Sequence, residues 1–287
     1  MAETFVEHLT QTKSRNTARA YLESLIDFER WFEAANGEPL SPIRLTPTDA
    51  REYRQAMAER KLAPATINLR LAAVQAYAAF NGLDLGKIKS TKIARPEIHW
   101  LGKQEQAAFW REVERDCQLA QSPAGRARTV RNRAVIALLL GAGLRLSELC
   151  DLDIGDVEMN HRAGNVTVRH GKGDKERTVP LNADVRQQLA AWIAIRPDGV
   201  DWLFAGQRQE RLRQTGVAEM VGEYARRAKV EATPHSLRHS FAKNLVNAGV
   251  GIERVAMLLG HDSIETTRLY TLPSQQDLAH DVERLEM

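Results

Sequence analysis

The chain has little of several things, and each scarcity removes a class of protein. Its 287 residues include two cysteines, Cys117 and Cys150, in no Cys-x-x-Cys or metal-ligand spacing. Neither a disulfide framework nor a zinc site is written in them, and a reducing cytoplasm is the expected setting. The longest apolar run, Ala134 to Leu144, is far shorter than the ~20 residues a membrane-spanning helix needs. The opening residues MAETFVEHL carry no basic leader followed by an apolar stretch, so no export signal is expected. Walker-type loops, repeat arrays and low-complexity tracts are absent from the sequence. A large excess of one charge is missing too: the net is +3. That suits a nucleic-acid binder without arguing for one, because clustering matters more than the total.

What is present is helix punctuation. Ser14-Arg15-Asn16-Thr17 offers capping residues before an apolar stripe of Tyr21, Leu22, Leu25, Phe28, Trp31 and Phe32, ending near Asn36-Gly37. Thr46-Pro47-Thr48-Asp49 opens a further helix, and Pro64-Ala65-Thr66 another that runs to Asn81-Gly82. No strand pattern interrupts them. Residues 1–85 therefore read as an all-helical domain, 86–99 as a cationic linker with Gly86 and Pro96, and 100–287 as a second domain. Lys13, Arg15, Arg19 and Arg70, with polar Asn68 beside the last, are interleaved with the apolar positions of the first domain. They make either a face that lies on a DNA backbone or an ordinary solvated surface.

In the second domain a helix is expected from Gly102 to Asp116, a polar loop from Gln121 to Thr129 and a buried helix from Arg131 to Leu140. The period then switches. Val157–Met159, Asn165–Arg169 and Arg177–Leu181 alternate as strands do and carry β-branched residues. Helices from Asn182 to Ile195 and from Gln214 to Ala228 flank a strand-like Trp202-Leu203-Phe204. The fold class is mainly α with a small antiparallel β-sheet. The acidic cluster Asp151, Asp153, Asp156 and Glu158 does not follow the calcium-loop pattern and reads as turn and cap residues. No metal and no cofactor are expected.

Chemistry concentrates between Thr233 and Thr271. His235 and Arg238, three apart, share one helix face. A second helix, Ile252 to Leu259, halts at Gly260 and presents His261 at a corner. Tyr270 follows nine residues later. An Arg fork, two imidazoles and a phenol are thus offered by one stretch. The spacing His-x-x-Arg, then Leu-Gly-His, then Tyr resembles the C-terminal signature of the tyrosine site-specific recombinases, the phage integrase and Xer group. Upstream, Gly-Leu-Arg-x-Ser-Glu-Leu is similar to that family's first motif. Gly-Lys-Gly-x-Lys-x-Arg, from Gly171, is similar to its β-hairpin motif.

The resemblance implies a core-binding domain for the N-terminal helices, one half of a C-shaped clamp around duplex DNA, with Arg15, Asn68 and Arg70 as contacts. It places Arg145 in the active site and Lys172 in the minor groove beside the cleavage point, with Lys175 and Arg177 on the backbone. It implies attack by Tyr270 on a phosphodiester, a 3′-phosphotyrosyl intermediate, and exchange of strands without ATP. In that chemistry Arg145 and Arg238 clamp the non-bridging oxygens, a task that suits planar guanidiniums better than lysine. His261 hydrogen-bonds one oxygen, His235 takes the phenol proton and Lys172 gives one to the leaving 5′-oxygen. The implied partners are double-stranded DNA with inverted-repeat core sites and further copies of the chain. These copies form a tetramer by exchanging a last amphipathic helix that carries Leu278, Val282 and Leu285. Two other readings stay open: a type IB topoisomerase that relaxes supercoils, and a catalytically idle architectural protein.

Overall fold

The structure, a computed structural model, describes residues 3–92, 98–169, 176–206 and 208–272. The chain forms two compact units, Met1–Pro96 and Glu97–Met287.

Among the described residues the first unit is built from the α-helices α1 (Glu3–Thr12), α2 (Arg15–Asn36), α3 (Pro47–Glu59) and α4 (Pro64–Phe80). Ser14 accepts the Thr17 N–H at the start of α2, and Gly37, at φ 73°, ends it. The start of α3 is a capping box, in which the Asp49 carboxylate accepts the Thr46 N–H at 2.8 Å. No sequence signal marks α1; Phe5 and Leu9, four apart and fully buried, recruit it, with Phe5 edge-on to Tyr77 of α4. A half-buried carboxylate ties the bundle together. Asp27 of α2 accepts from Tyr53 of α3 at 2.8 Å, from Arg60 just beyond α3, and from Arg70 of α4. Burial alone would raise its pKa, but the Tyr53 hydroxyl and the two guanidiniums bring it below the usual carboxylate range.

The second unit holds α5 (Lys103–Leu119), α6 (Pro123–Gly141), α7 (Leu146–Asp151), β1 (Val157–Met159), β2 (Gly164–Val168), β3 (Arg177–Pro180), α8 (Ala183–Ile193), α9 (Gln214–Ala228), α10 (Pro234–Asn247), α11 (Ile252–Leu259) and α12 (Ile264–Arg268). The sheet is antiparallel in the order β1-β2-β3, with Val166 opposite Val157 on one side and Val179 on the other. Helix α6 is its spine: Ala134 to Leu139 are all buried, against Val185, Leu189 and Trp192 of α8 and Leu237 of α10. Each large side chain buried there contributes roughly 1.5–3 kcal/mol over exposure.

Three expectations need correcting or bounding. Residues 123–129 are the first two turns of α6 rather than a loop, because Ser122 caps them and Pro123 sits where a missing N–H costs nothing. Trp202 to Phe204 make no strand; isolated bridges pair Asp153 with Trp202 and Ala205 with Arg211. The last amphipathic helix lies outside the described residues.

Candidate active site

Arg145 begins α7 because Glu148, at the third helical position, accepts its backbone N–H at 2.7 Å. Gly143 lets the chain reverse just before it, at φ +61°; a Cβ there would lie 2.2 Å from Cδ1 of Phe241. The Gly143 carbonyl accepts Nη1 of Arg238 at 2.6 Å, and Nη2 of the same residue donates to Leu259 O at 2.6 Å. Nη2 of Arg145 donates to the next carbonyl, Gly260, at 2.7 Å. Both guanidiniums are therefore moored at the C-terminal end of α11, where the helix dipole favours cations. Gly260, at φ +63°, allows the carbonyl to be offered; a Cβ would sit 2.9 Å from Arg177.

Glu148 is the anion of this cluster and is 4% exposed. It holds Nη1 of Arg145 at 2.6 Å and both terminal nitrogens of Arg177 at 2.8 and 2.7 Å, with Arg238 at 3.7 Å. Burial opposes its ionisation, but Arg177 and then Arg145 hold its pKa down to about 2. Arg238 is 2% exposed. Burial and the charge of Arg145 lower its pKa to about 10, so it stays cationic at neutral pH.

Tyr270 lies in a 3-10 turn, Leu269–Thr271, after α12 and is 1% exposed. Its ring packs with Phe241, Ala242, Val255 and Leu259. Its hydroxyl meets Nδ1 of His239 at 2.5 Å. Burial pushes the phenol up to about 12, against the lowering charges of Arg238 and Arg145. The His235 ring stands 4.1 Å from that of His239, edge to face. The His261 ring lies nearly parallel to that of Tyr270 at 6.4 Å, its Nδ1 bonded to Thr267 at 2.8 Å. Burial, then Arg238 and Arg145, lower the pKa of His235. Lys243 of α10 donates to the carbonyls of Tyr270 and Leu272, at 3.5 and 3.2 Å, and lies 5.0 Å over the Trp100 ring.

A cleft of about 410 Å³ is lined by Arg145, His235, Arg238, His239, His261 and Tyr270, among others. Five of the six residues expected to be catalytic thus meet at one opening. The sixth, Lys172, and Lys175 with it, lie outside the described residues. His239 went unread in the sequence, although it follows Arg238 directly and stands one helical turn from His235. Arg177, expected on a DNA backbone, is turned inward, 11% exposed in its side chain and locked on Glu148. Asn68 exchanges two hydrogen bonds with the Thr91 backbone, and Arg70 pairs with Asp27. Arg15 begins α2, its side chain outside what is described. Of the acidic residues after α7, Asp156 accepts the Asp153 N–H in a capping box and pairs with Arg169, and Asp153 pairs with Arg211. Among the described residues no three His, Cys, Asp or Glu side chains gather as metal ligands.

Residues 112–277 match the model of the phage integrase family, and residues 2–81 match that of the phage integrase N-terminal SAM-like domain. The tyrosine recombinase XerA of Pyrococcus furiosus is 32% identical over 291 residues, covering 99% of this chain and 93% of the relative. The tyrosine recombinase XerC of Myxococcus xanthus is 32% identical over 298 residues, covering 97% and 94%. Among solved structures, the XerH site-specific recombinase bound to palindromic difH substrate superimposes with a TM-score of 0.75 at 24% identity, over 93% of this chain and 79% of that one. The Tn1549 transposon integrase in complex with transposon right end DNA gives 0.72 at 21% identity, over 98% and 97%. At that identity the two structures share the fold.

Proposed function

The chain belongs to the phage integrase family, a tyrosine recombinase that breaks and rejoins DNA in site-specific recombination, and we propose that Tyr270 is its nucleophile. One observation carries this: a phenol, two moored guanidiniums and three imidazoles open on a single cleft. Attack by the Tyr270 oxygen on a backbone phosphorus builds negative charge on the non-bridging oxygens. Arg145 and Arg238 face that charge with forked donors, and His261 and His235 add hydrogen bonds. The bond to the 5′-oxygen breaks with a proton from Lys172, leaving a 3′-phosphotyrosine. A 5′-hydroxyl of another strand then reverses the step, so the bond energy is kept and no ATP is needed.

The substrate we infer is duplex DNA with inverted-repeat core sites, since the XerH relative was solved on a palindromic one. The helices of residues 1–85 would clamp it, joined through 86–99 to a catalytic domain of residues 100–287. Four copies would assemble on paired sites, exchanging the last helix. No helix among the described residues is long and apolar enough to cross a membrane, which accords with a cytoplasmic place beside DNA.

A nicked duplex that sheds a short 5′-hydroxyl fragment tests the nucleophile. The protein should become covalently attached, and Tyr270→Phe should abolish the adduct. An adduct that survives in the Phe variant means the nucleophile lies elsewhere. On a substrate with two sites the enzyme should yield exchanged products rather than relaxed circles alone. Removing either arginine, as Arg145→Ala or Arg238→Ala, should slow attachment by about 10²–10³-fold, roughly 3–4 kcal/mol.

A further inference from the structure

We propose that His239, rather than His235, accepts the Tyr270 proton as the phenol oxygen attacks phosphorus, an assignment that rests on Tyr270 being the nucleophile. Nδ1 of His239 is 2.5 Å from the phenol oxygen. His235 instead stands edge-on to the His239 ring at 4.1 Å, one turn back along α10. The helix grips the tyrosine at two levels: His239 meets the hydroxyl, and Lys243, four residues on, meets the backbone carbonyl. That double hold fixes which imidazole the phenol touches. Side chains at i and i+4 lie on one helix face, so the grip follows from α10 being helical through this stretch.

The surroundings keep the ring neutral until DNA binds. His239 is faced by His235 and Arg238 from α10, by His261 and Tyr270 from beyond α11, and by His99 ahead of α5. Burial, then His235, Arg238, His261 and His99, hold its pKa to about 3, so the ring is neutral and one nitrogen is free of a proton. Tyr270, pushed to about 12, keeps its proton until attack. Transfer in advance is therefore far uphill, and the proton moves as the new bond forms. A phosphodiester between Arg145 and Arg238 neutralises the charges that depress the imidazole, and the charge growing on phosphorus raises its basicity further. The Oη–H bond breaks and the proton goes to Nδ1 while Oη–P forms. P–O5′ breaks, and the 5′-oxygen takes the Lys172 proton. On rejoining, the attacking 5′-hydroxyl returns a proton to Lys172 and the imidazolium returns one to the departing phenol oxygen.

His239→Asn keeps an acceptor oxygen near the place of Nδ1 but cannot carry the proton. Single-turnover attachment to the nicked duplex, followed between about pH 6 and 10, should show the variant some 10²–10³-fold slower at neutral pH. Its rate should then rise roughly tenfold per pH unit as solution base strips the phenol, while the native profile stays flat. DNA affinity and thermal midpoint should match the native protein. A variant profile that runs parallel to the native one, or a rising profile in His235→Asn alone, overturns the assignment. An adduct in Tyr270→Phe overturns the nucleophile instead, so the two failures are distinct. Should His239→Asn not fold, nitrogen NMR of the native imidazoles decides. The ring whose signals shift in Tyr270→Phe must carry its proton on Nε2, and a proton on Nδ1 rejects the proposal.

Discussion

Among single residues, Glu148 has the largest structural consequence. One carboxylate stands against three arginines, so Glu148→Gln leaves the cluster short of its anion and lets the guanidiniums repel one another. Loss of a partner from such a buried ion cluster costs about 3–5 kcal/mol. Covalent attachment to DNA should fall with stability, seen as a lower urea midpoint and a weaker adduct band. The same group sets an acid limit. Its folded pKa of about 2 lies below its ordinary value of 4.5. The contribution is therefore complete above pH 4.5 and fades as pH falls toward 2, on the order of 3 kcal/mol in all. Urea titrations at descending pH should show that limb in the native protein and not in Glu148→Gln. The sequence made the separate polar groups of the cleft legible, since Arg145, His235, Arg238, His261 and Tyr270 stand in spaced motifs. It did not disclose the Glu148–Arg177 pair, whose members are 29 positions apart and meet only when β3 packs beside α7 and α11. Nor did it single out His239, whose role depends on where the later 3-10 turn delivers the phenol.

Among the elements, α10 and the end of α11 matter most. Helix α10 presents His235, Arg238, His239 and Lys243 toward one region, and Lys243 fastens the turn that carries Tyr270. Lys243→Met keeps an unbranched apolar stem and removes the ammonium, which lies over Trp100 and donates to two carbonyls. Attachment to the nicked duplex should slow several-fold with DNA affinity unchanged; an unaltered rate would show that the turn holds itself. Gly143→Ala should be more damaging, because the added methyl meets the Phe241 ring at 2.2 Å and the backbone is in the left-handed region. A loss of about 1–3 kcal/mol, read as a lower urea midpoint, is expected. Helices and strands themselves were legible where apolar period and caps agreed, as at Thr46, Pro64 and the three strands. The segment 123–129 escaped because Pro123 and Gly125 read as loop punctuation and Thr129 is its one buried residue, so no apolar stripe marks it.

For the whole molecule, each unit is knit by a carboxylate that receives donors from distant parts of the chain: half-buried Asp27 in the first, buried Glu148 in the second. Arg70→Ala should lower the unfolding free energy of the first unit by about 1–2 kcal/mol, since Asp27 keeps Tyr53 and Arg60; an unchanged urea midpoint would show the ion pair to be idle. The arrangement of Arg145 and Arg238 on the carbonyls of Gly143, Leu259 and Gly260 has a wider consequence. Two of the longest and most rotatable side chains surrender their freedom when the protein folds, not when the nucleic acid arrives. On the proposed assignment of this pair to the scissile phosphate, its recognition is spared that entropy. The anchors are peptide oxygens, so what keeps the pair of cations aimed is the main-chain path, which Gly143 and Gly260 hold in the left-handed region.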